Sequence, residues 1–160
     1  MPNPRLATRY AKSIIDLAIE KGQLEKVFAD MQWLQAVCKS SHEFVVILRS
    51  PVIKGDKKEK IIEAVTDGRI SEMTKMFVRL MIRKGRESYL PEVINAYITQ
   101  YKVNKNIQTV QLTTASALSD ELKNAIVKQI KATADMPNIE LETSVNADLI
   151  GGFVLQAGDK

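Results

Sequence analysis

The spacing of the apolar residues changes once along the chain, near Asn104, and that change limits which folds are open to it. From Pro4 to Asn104 apolar side chains recur every three or four residues, and no stretch alternates with period two. Beyond Asn104, "IQTVQLTT" (107–114) and "NIELETSVN" (138–146) alternate apolar with polar. A pattern of period 3.6 buries one face of a helix and a pattern of period 2 buries one face of a strand, so neither can serve as the other. The sequence therefore predicts a mainly α protein. An N-terminal six-helix bundle occupies residues 1–104, and a small α/β domain (strand, helix, strand, strand) occupies residues 105–160.

The breaks between helices carry their own signals. The first helix is expected over 4–21, with Ala7, Tyr10, Ala11, Ile14, Leu17 and Ala18 on one face, and Gly22 ends it. The second, over 23–39, puts Leu24, Val27, Phe28, Met31, Leu34 and Cys38 on one stripe and Trp33 on the opposite face. Ser40 and Glu43 read as a capping box for a short buried helix through Leu48, which Ser50-Pro51 stops. Asp56 and Glu59 repeat the pattern for a fourth helix over 57–66. A fifth is expected over 71–84, closed by Gly85, and a sixth from Ser88, with Leu90, Ile94, Tyr97 and Tyr101 in one row.

In the second part, Ser119 caps a helix reaching about residue 134, whose inner row is Leu122, Ala125, Ile126 and Ile130. The strand after it turns Ile139, Leu141 and Val145 inward. A third strand is read over 150–156, running into the turn Ala157-Gly158-Asp159. One helix covers one face of such a sheet and leaves an edge open, so the domain looks incomplete.

Composition narrows the chemistry. One cysteine, Cys38, and one histidine, His42, leave no material for an internal disulfide or a multi-cysteine metal site. Their proximity in sequence allows a nucleophile–base pair to be imagined, but Cys38 lies on an apolar stripe and reads as packing. No glycine-rich loop ending in Lys-Ser or Lys-Thr is present, and "GGF" (151–153) sits in a strand pattern, where glycines mark a bulge or close backbone approach. Neither catalysis, a cofactor nor a small-molecule substrate is expected. No apolar run approaches the ~20 residues of a membrane-spanning helix, so direct membrane insertion is not expected either. The start, "MPNPRLATRYAKS", lacks the apolar centre of a signal peptide.

Charge is unevenly divided. Residues 1–104 hold 18 Lys and Arg against 12 Asp and Glu, whereas residues 105–160 hold 5 against 7. Two modules facing different partners would produce such a division. The densest basic run is "VIKGDKKEK" (52–60), and it keeps open a second class of function, a basic helical nucleic-acid-binding protein. Against it, the second part's strands carry one aromatic, Phe153, where an RNA-stacking sheet needs two or three.

The fifth helix points to protein partners. "SEMTKMFVRLMIRK" (71–84) is apolar around most of its circumference, with Met73, Met76, Phe77, Val78, Leu80, Met81 and Ile82. Either it is a central helix buried on all sides, or part of it faces a second apolar surface; three methionines suit an adaptable groove for a partner helix.

Five stretches in this order resemble one family. They are Arg9-Tyr10-Ala11; Ser50-Pro51-Val52-Ile53 followed by Lys57 and Lys60; "FVRLMIRKGRESYLPEVINAYITQY" (77–101); Leu149-Ile150-Gly151-Gly152-Phe153; and Gly158-Asp159. Together they are similar to the delta subunit of the F-type ATP synthase, the bacterial counterpart of the mitochondrial oligomycin-sensitivity-conferring protein. The resemblance implies a non-catalytic stator subunit that stops the catalytic head from turning with the rotor. It implies that the helical module binds the N-terminal helix of a head alpha subunit, and that the second domain engages the C-terminal region of the stalk's b subunits. It also implies a further strand and a last helix beyond the turn at Gly158-Asp159.

In the family the head helix lies between the first and fifth helices. With helical spacing supplying the positions, the expected groove residues are Tyr10, Ala11, Ile14, Met73, Met76 and Leu80, while Arg9 and Arg83 are candidates for surface salt links. The expected location is the cytoplasmic side of a bacterial inner membrane, held there by partner subunits. Salt separates the classes: phosphate neutralisation makes nucleic-acid affinity fall steeply with salt, and an apolar groove is nearly indifferent.

Overall fold

A computed structural model describes residues 3–134 and 138–157. The element order is α1 (Pro4–Glu20), α2 (Leu24–Ser40), α3 (His42–Arg49), α4 (Gly55–Thr66), α5 (Glu72–Arg83), a 3-10 turn η1 (Glu87–Tyr89), α6 (Leu90–Asn104), β1 (Gln108–Thr114), α7 (Asp120–Ala134), β2 (Ile139–Val145) and β3 (Phe153–Ala157). The protein is mainly helical with one small three-stranded sheet. It divides into two compact units, Met1–Tyr101 and Lys102–Lys160.

The first unit is built around rows read from the sequence. Ala7, Ala11, Ile14 and Ala18 of α1, Val27, Met31 and Leu34 of α2, and Leu90, Ile94, Tyr97 and Tyr101 of α6 are all buried. Aromatic and polar contacts join α6 to α2. Phe28 stacks on Tyr101 with ring centroids 3.7 Å apart, the Tyr97 hydroxyl donates to the Leu24 carbonyl at 3.1 Å, and the Tyr101 hydroxyl donates to Glu25. Leu17 is a departure: it shares the α1 periodicity yet is 43% exposed.

Three helix starts differ from expectation. The α3 cap is Ser41, whose hydroxyl accepts from the Phe44 N–H at 3.3 Å. Ser40 instead closes α2, its hydroxyl donating to the Val37 carbonyl. Asp56 lies within the first turn of α4, where it still favours the positive pole of the helix, and no side chain of the N-cap residue Lys54 caps that end. The start of α5 is capped from another helix. The Asp30 carboxylate on α2 accepts from the Ser71 N–H at 2.9 Å, the Ser71 hydroxyl at 2.5 Å and the Thr74 hydroxyl at 2.7 Å.

In the second unit β1 is the central strand, parallel to β2 and antiparallel to β3. The parallel pair requires a crossover, and α7 supplies it. Val110 and Leu112 are buried as their alternation demands, and Leu112 faces Leu155 across the antiparallel pair. Burial is thinner elsewhere. Ile139 and Leu141 are half-buried, but Val145, opposite Thr114 at the end of β2, is 59% exposed because the strand there reaches the margin of the sheet. On α7, Ile126 and Ile130 are half-buried while Leu122 and Ala125 are exposed.

The third strand starts three residues later than read. Gly151 and Gly152 have φ of 75° and 77°, a left-handed geometry that ends any extended run, so they form the entry to β3 and not a bulge within it. The expected turn at Gly158-Asp159 lies outside the described residues.

Candidate functional site

The residues expected to face a partner separate into two layers within the first unit. Tyr10 on α1 meets Phe77 on α5 edge to face, with ring centroids 6.4 Å apart and planes at 68°. Such a pair contributes about 0.5–1.5 kcal/mol beyond the area it buries, and it brings these two helices into contact. Ala11 and Ile14 lie beneath, 0% and 2% exposed, and are core. They can support a surface but cannot touch a partner.

The outer layer belongs mostly to α5. Phe77, Val78, Met81 and Ile82 are buried, as is Thr74 through its bond to Asp30. Met76 is 63% exposed, Leu80 46% exposed and Met73 half-buried. Met73, Met76 and Leu80 follow the helical spacing i, i+3, i+7, so they form one apolar strip beside the Phe77 row. On α1, half-buried Leu6 and Tyr10 and exposed Leu17 recur at similar spacing. The fifth helix is thus apolar on two faces because one packs inward and the other stands in water.

Sequence reasoning missed part of this region. An open cleft of about 370 Å³ at the start of α1 is lined by Asn3, Arg5, Leu6, Arg9, Tyr10 and Ser13, together with Arg86, which follows α5. Among the described residues, none of Arg5, Arg9, Arg83 and Arg86 forms an ion pair, so the salt links expected of Arg9 and Arg83 are not present. Gly85, with φ of 64°, turns the chain between α5 and Arg86. Arg5 and Arg9, four residues apart on one face of α1, were the available signal, and no local pattern brings Arg86 to them.

The other candidates carry no such arrangement. Cys38 is half-buried, and burial pushes its thiol up and away from the thiolate form a nucleophile needs. His42 is exposed in the first turn of α3. The basic run before and within α4 is not a uniform charged face: Lys58 points inward, its ammonium 2.7 Å from Glu87 and 3.1 Å from the Leu48 carbonyl. Among the described residues no cluster of three His, Cys, Asp or Glu could hold a metal, and no helix is long and apolar enough to cross a membrane.

A family model described as "ATP synthase delta (OSCP) subunit" matches residues 6–160. The chain belongs to the ATP synthase delta (OSCP) subunit family. It is 35% identical to the ATP synthase subunit delta of Cytophaga hutchinsonii, over the whole of this chain and 87% of that protein. It is 32% identical to the same subunit of Amoebophilus asiaticus, over 99% of this chain and 86% of that one. In fold it is similar to a chain of the Toxoplasma gondii mitochondrial ATP synthase hexamer, with a TM-score of 0.78 at 19% identity, over 94% of this chain and 83% of the other. As a member of the delta (OSCP) family it is a non-catalytic, structural subunit and a stator component of the ATP synthase. The nucleic-acid alternative finds no support beside it.

Proposed function

We propose that this chain is the link between the catalytic head and the peripheral stalk. Its first unit, acting as a six-helix bundle, binds the N-terminal helix of an alpha subunit across α1 and α5. Its second unit engages the C-terminal region of the b subunits. It works on the cytoplasmic side of a bacterial inner membrane, peripherally, held by these partners.

The observation that carries the reading is the apolar strip of half-buried Met73 and exposed Met76 and Leu80 on α5, whose other apolar face packs inward and sets Phe77 against Tyr10. Met76 and Leu80 are 63% and 46% exposed, so covering them with a partner helix would contribute roughly half of the ~1.5–3 kcal/mol that full burial of each side chain is worth. Methionine is unbranched and flexible, so it can shape itself to an irregular apolar face. A stator needs such a link because rotor torque does useful work only if the head is held still.

The test is a calorimetric titration of the full chain with a synthetic peptide copying the alpha subunit's N-terminal segment, with Trp33 fluorescence as a second signal. One-to-one binding that the Met76→Asp variant loses, with its helical signal unchanged, is the expected result. Binding that survives Met76→Asp places the groove elsewhere.

A further inference from the structure

The apolar strip alone leaves the partner's direction open, since a helix held by its apolar face can lie in a groove either way round. The arginine cleft removes that symmetry. Arg5 and Arg9 belong to the first turns of α1, and Arg86, just past the end of α5, lines the same cleft. Three guanidinium groups share one cleft, all three are exposed, and none pairs with a carboxylate among the described residues. Tyr10 lines the cleft and also makes the edge-to-face contact with Phe77. Tyr10 is thus shared by the cleft and the α1–α5 contact, and Arg86 follows the last turn of α5, so the arginines stand at one end of the proposed docking surface.

Resting on the docking reading above, we propose that this cleft seats carboxylate side chains of the docked partner helix and so fixes the direction in which the helix lies. Guanidinium suits this role because it is always charged, presents a planar fork to a carboxylate, and loses little hydration when covered. Like charges brought together without a counter-ion repel, so a partner with acids at this end relieves a cost, and one with lysines there is rejected. Affinity for the partner then carries a shallow dependence on salt that the apolar strip does not produce.

The test is a double-mutant cycle between the full chain and two peptides. One copies about 20 residues of the alpha subunit's N-terminus, enough to run the length of α1. The other has each Asp and Glu changed to Asn or Gln. The protein variant is Arg9→Gln with Arg86→Gln, checked for an unchanged urea midpoint. The native peptide is expected to weaken about tenfold or more against the variant, and the neutral peptide by a similar factor against either protein, with no further loss when both changes are combined. Additive losses overturn the proposal. In that case the arginine change weakens both peptides equally, and the peptide's carboxylates are not what the arginines hold. Anionic phospholipid vesicles that bind the parent but not the variant, with no coupling to the peptide, would reassign the cleft to a membrane surface. Failure of the native peptide to bind the parent protein removes this proposal together with the docking reading, whereas binding without coupling removes this one alone.

Discussion

The Asp30 carboxylate on α2 accepts hydrogen bonds from both the backbone N–H and the hydroxyl of Ser71, at 2.9 and 2.5 Å, and thereby caps a helix 41 residues away in sequence. The same oxygen takes the Thr74 hydroxyl, and the cluster is buried. An anion at the positive pole of α5 is favourable, and three donors satisfy the charge. Asp30→Ala leaves those donors without an acceptor in a site closed to water. The expected loss is about 2–4 kcal/mol, read as a lower urea midpoint. Asp30→Asn keeps the shape and part of the bonding and should lose less.

A second buried charge ties α4 to the η1 turn. Lys58 and Glu87 are 2.7 Å apart with side chains 4% and 13% exposed, and Lys58 also holds the last turn of α3 through the Leu48 carbonyl. Removing one partner strands the other. Lys58→Met is expected to cost about 3–5 kcal/mol, and Lys58→Met with Glu87→Leu to recover most of that loss. A double variant destabilised by the sum of the two single losses would show that the pair is not coupled.

Long-range pairs of this kind lie at the limit of what the sequence discloses. Rows such as Leu90, Ile94, Tyr97 and Tyr101 were legible because a whole helix face is buried, so periodicity and burial coincide. Val110 and Leu112 were legible for the same reason in period two. Leu17, Leu122 and Val145 obey their periods yet stand in water, because a period gives the direction of a side chain and not whether anything covers it. Ala11 and Ile14 show the converse: assigned to a contact surface, they proved too deep to reach one. Asp30 had a signal that went unread. It falls between Val27 and Leu34 on the buried face of α2, where a charge is costly unless it is paired. Which donors pair with it depends on a contact 41 residues away, and no local pattern encodes that.

Tyrosine ionisation offers a pH test. Burial, aided by the bond to Glu25, pushes Tyr101 up to about 12, and burial raises Tyr97 further. The folded state thus favours the neutral phenols. Their contribution to stability is complete below about pH 10, the unfolded value, and is lost as pH rises through the folded values. Absorbance of tyrosinate should therefore rise in a late phase near and above about pH 12, accompanied by loss of helical signal. Tyr101→Phe should reduce that late amplitude and lower the urea midpoint at about pH 8, since Glu25 loses its phenol donor and the Phe28 stack remains.

The two layers of the docking surface predict opposite phenotypes for one kind of substitution. Met76 is 63% exposed, so Met76→Asp adds a charge that water already solvates, and stability should move by less than about 0.5 kcal/mol. Its effect should fall on binding of the alpha-subunit peptide, because a carboxylate placed under an apolar helix face loses its hydration with no partner in return. Ala11 is fully buried beneath that surface, and Ala11→Asp forces a carboxylate among the core side chains of α1. Several kcal/mol of stability should be lost, with or without peptide present. Circular dichroism and peptide titration on both variants separate the layers. A folded Ala11→Asp protein that fails to bind would move the partner's contact inward, onto residues here assigned to the core.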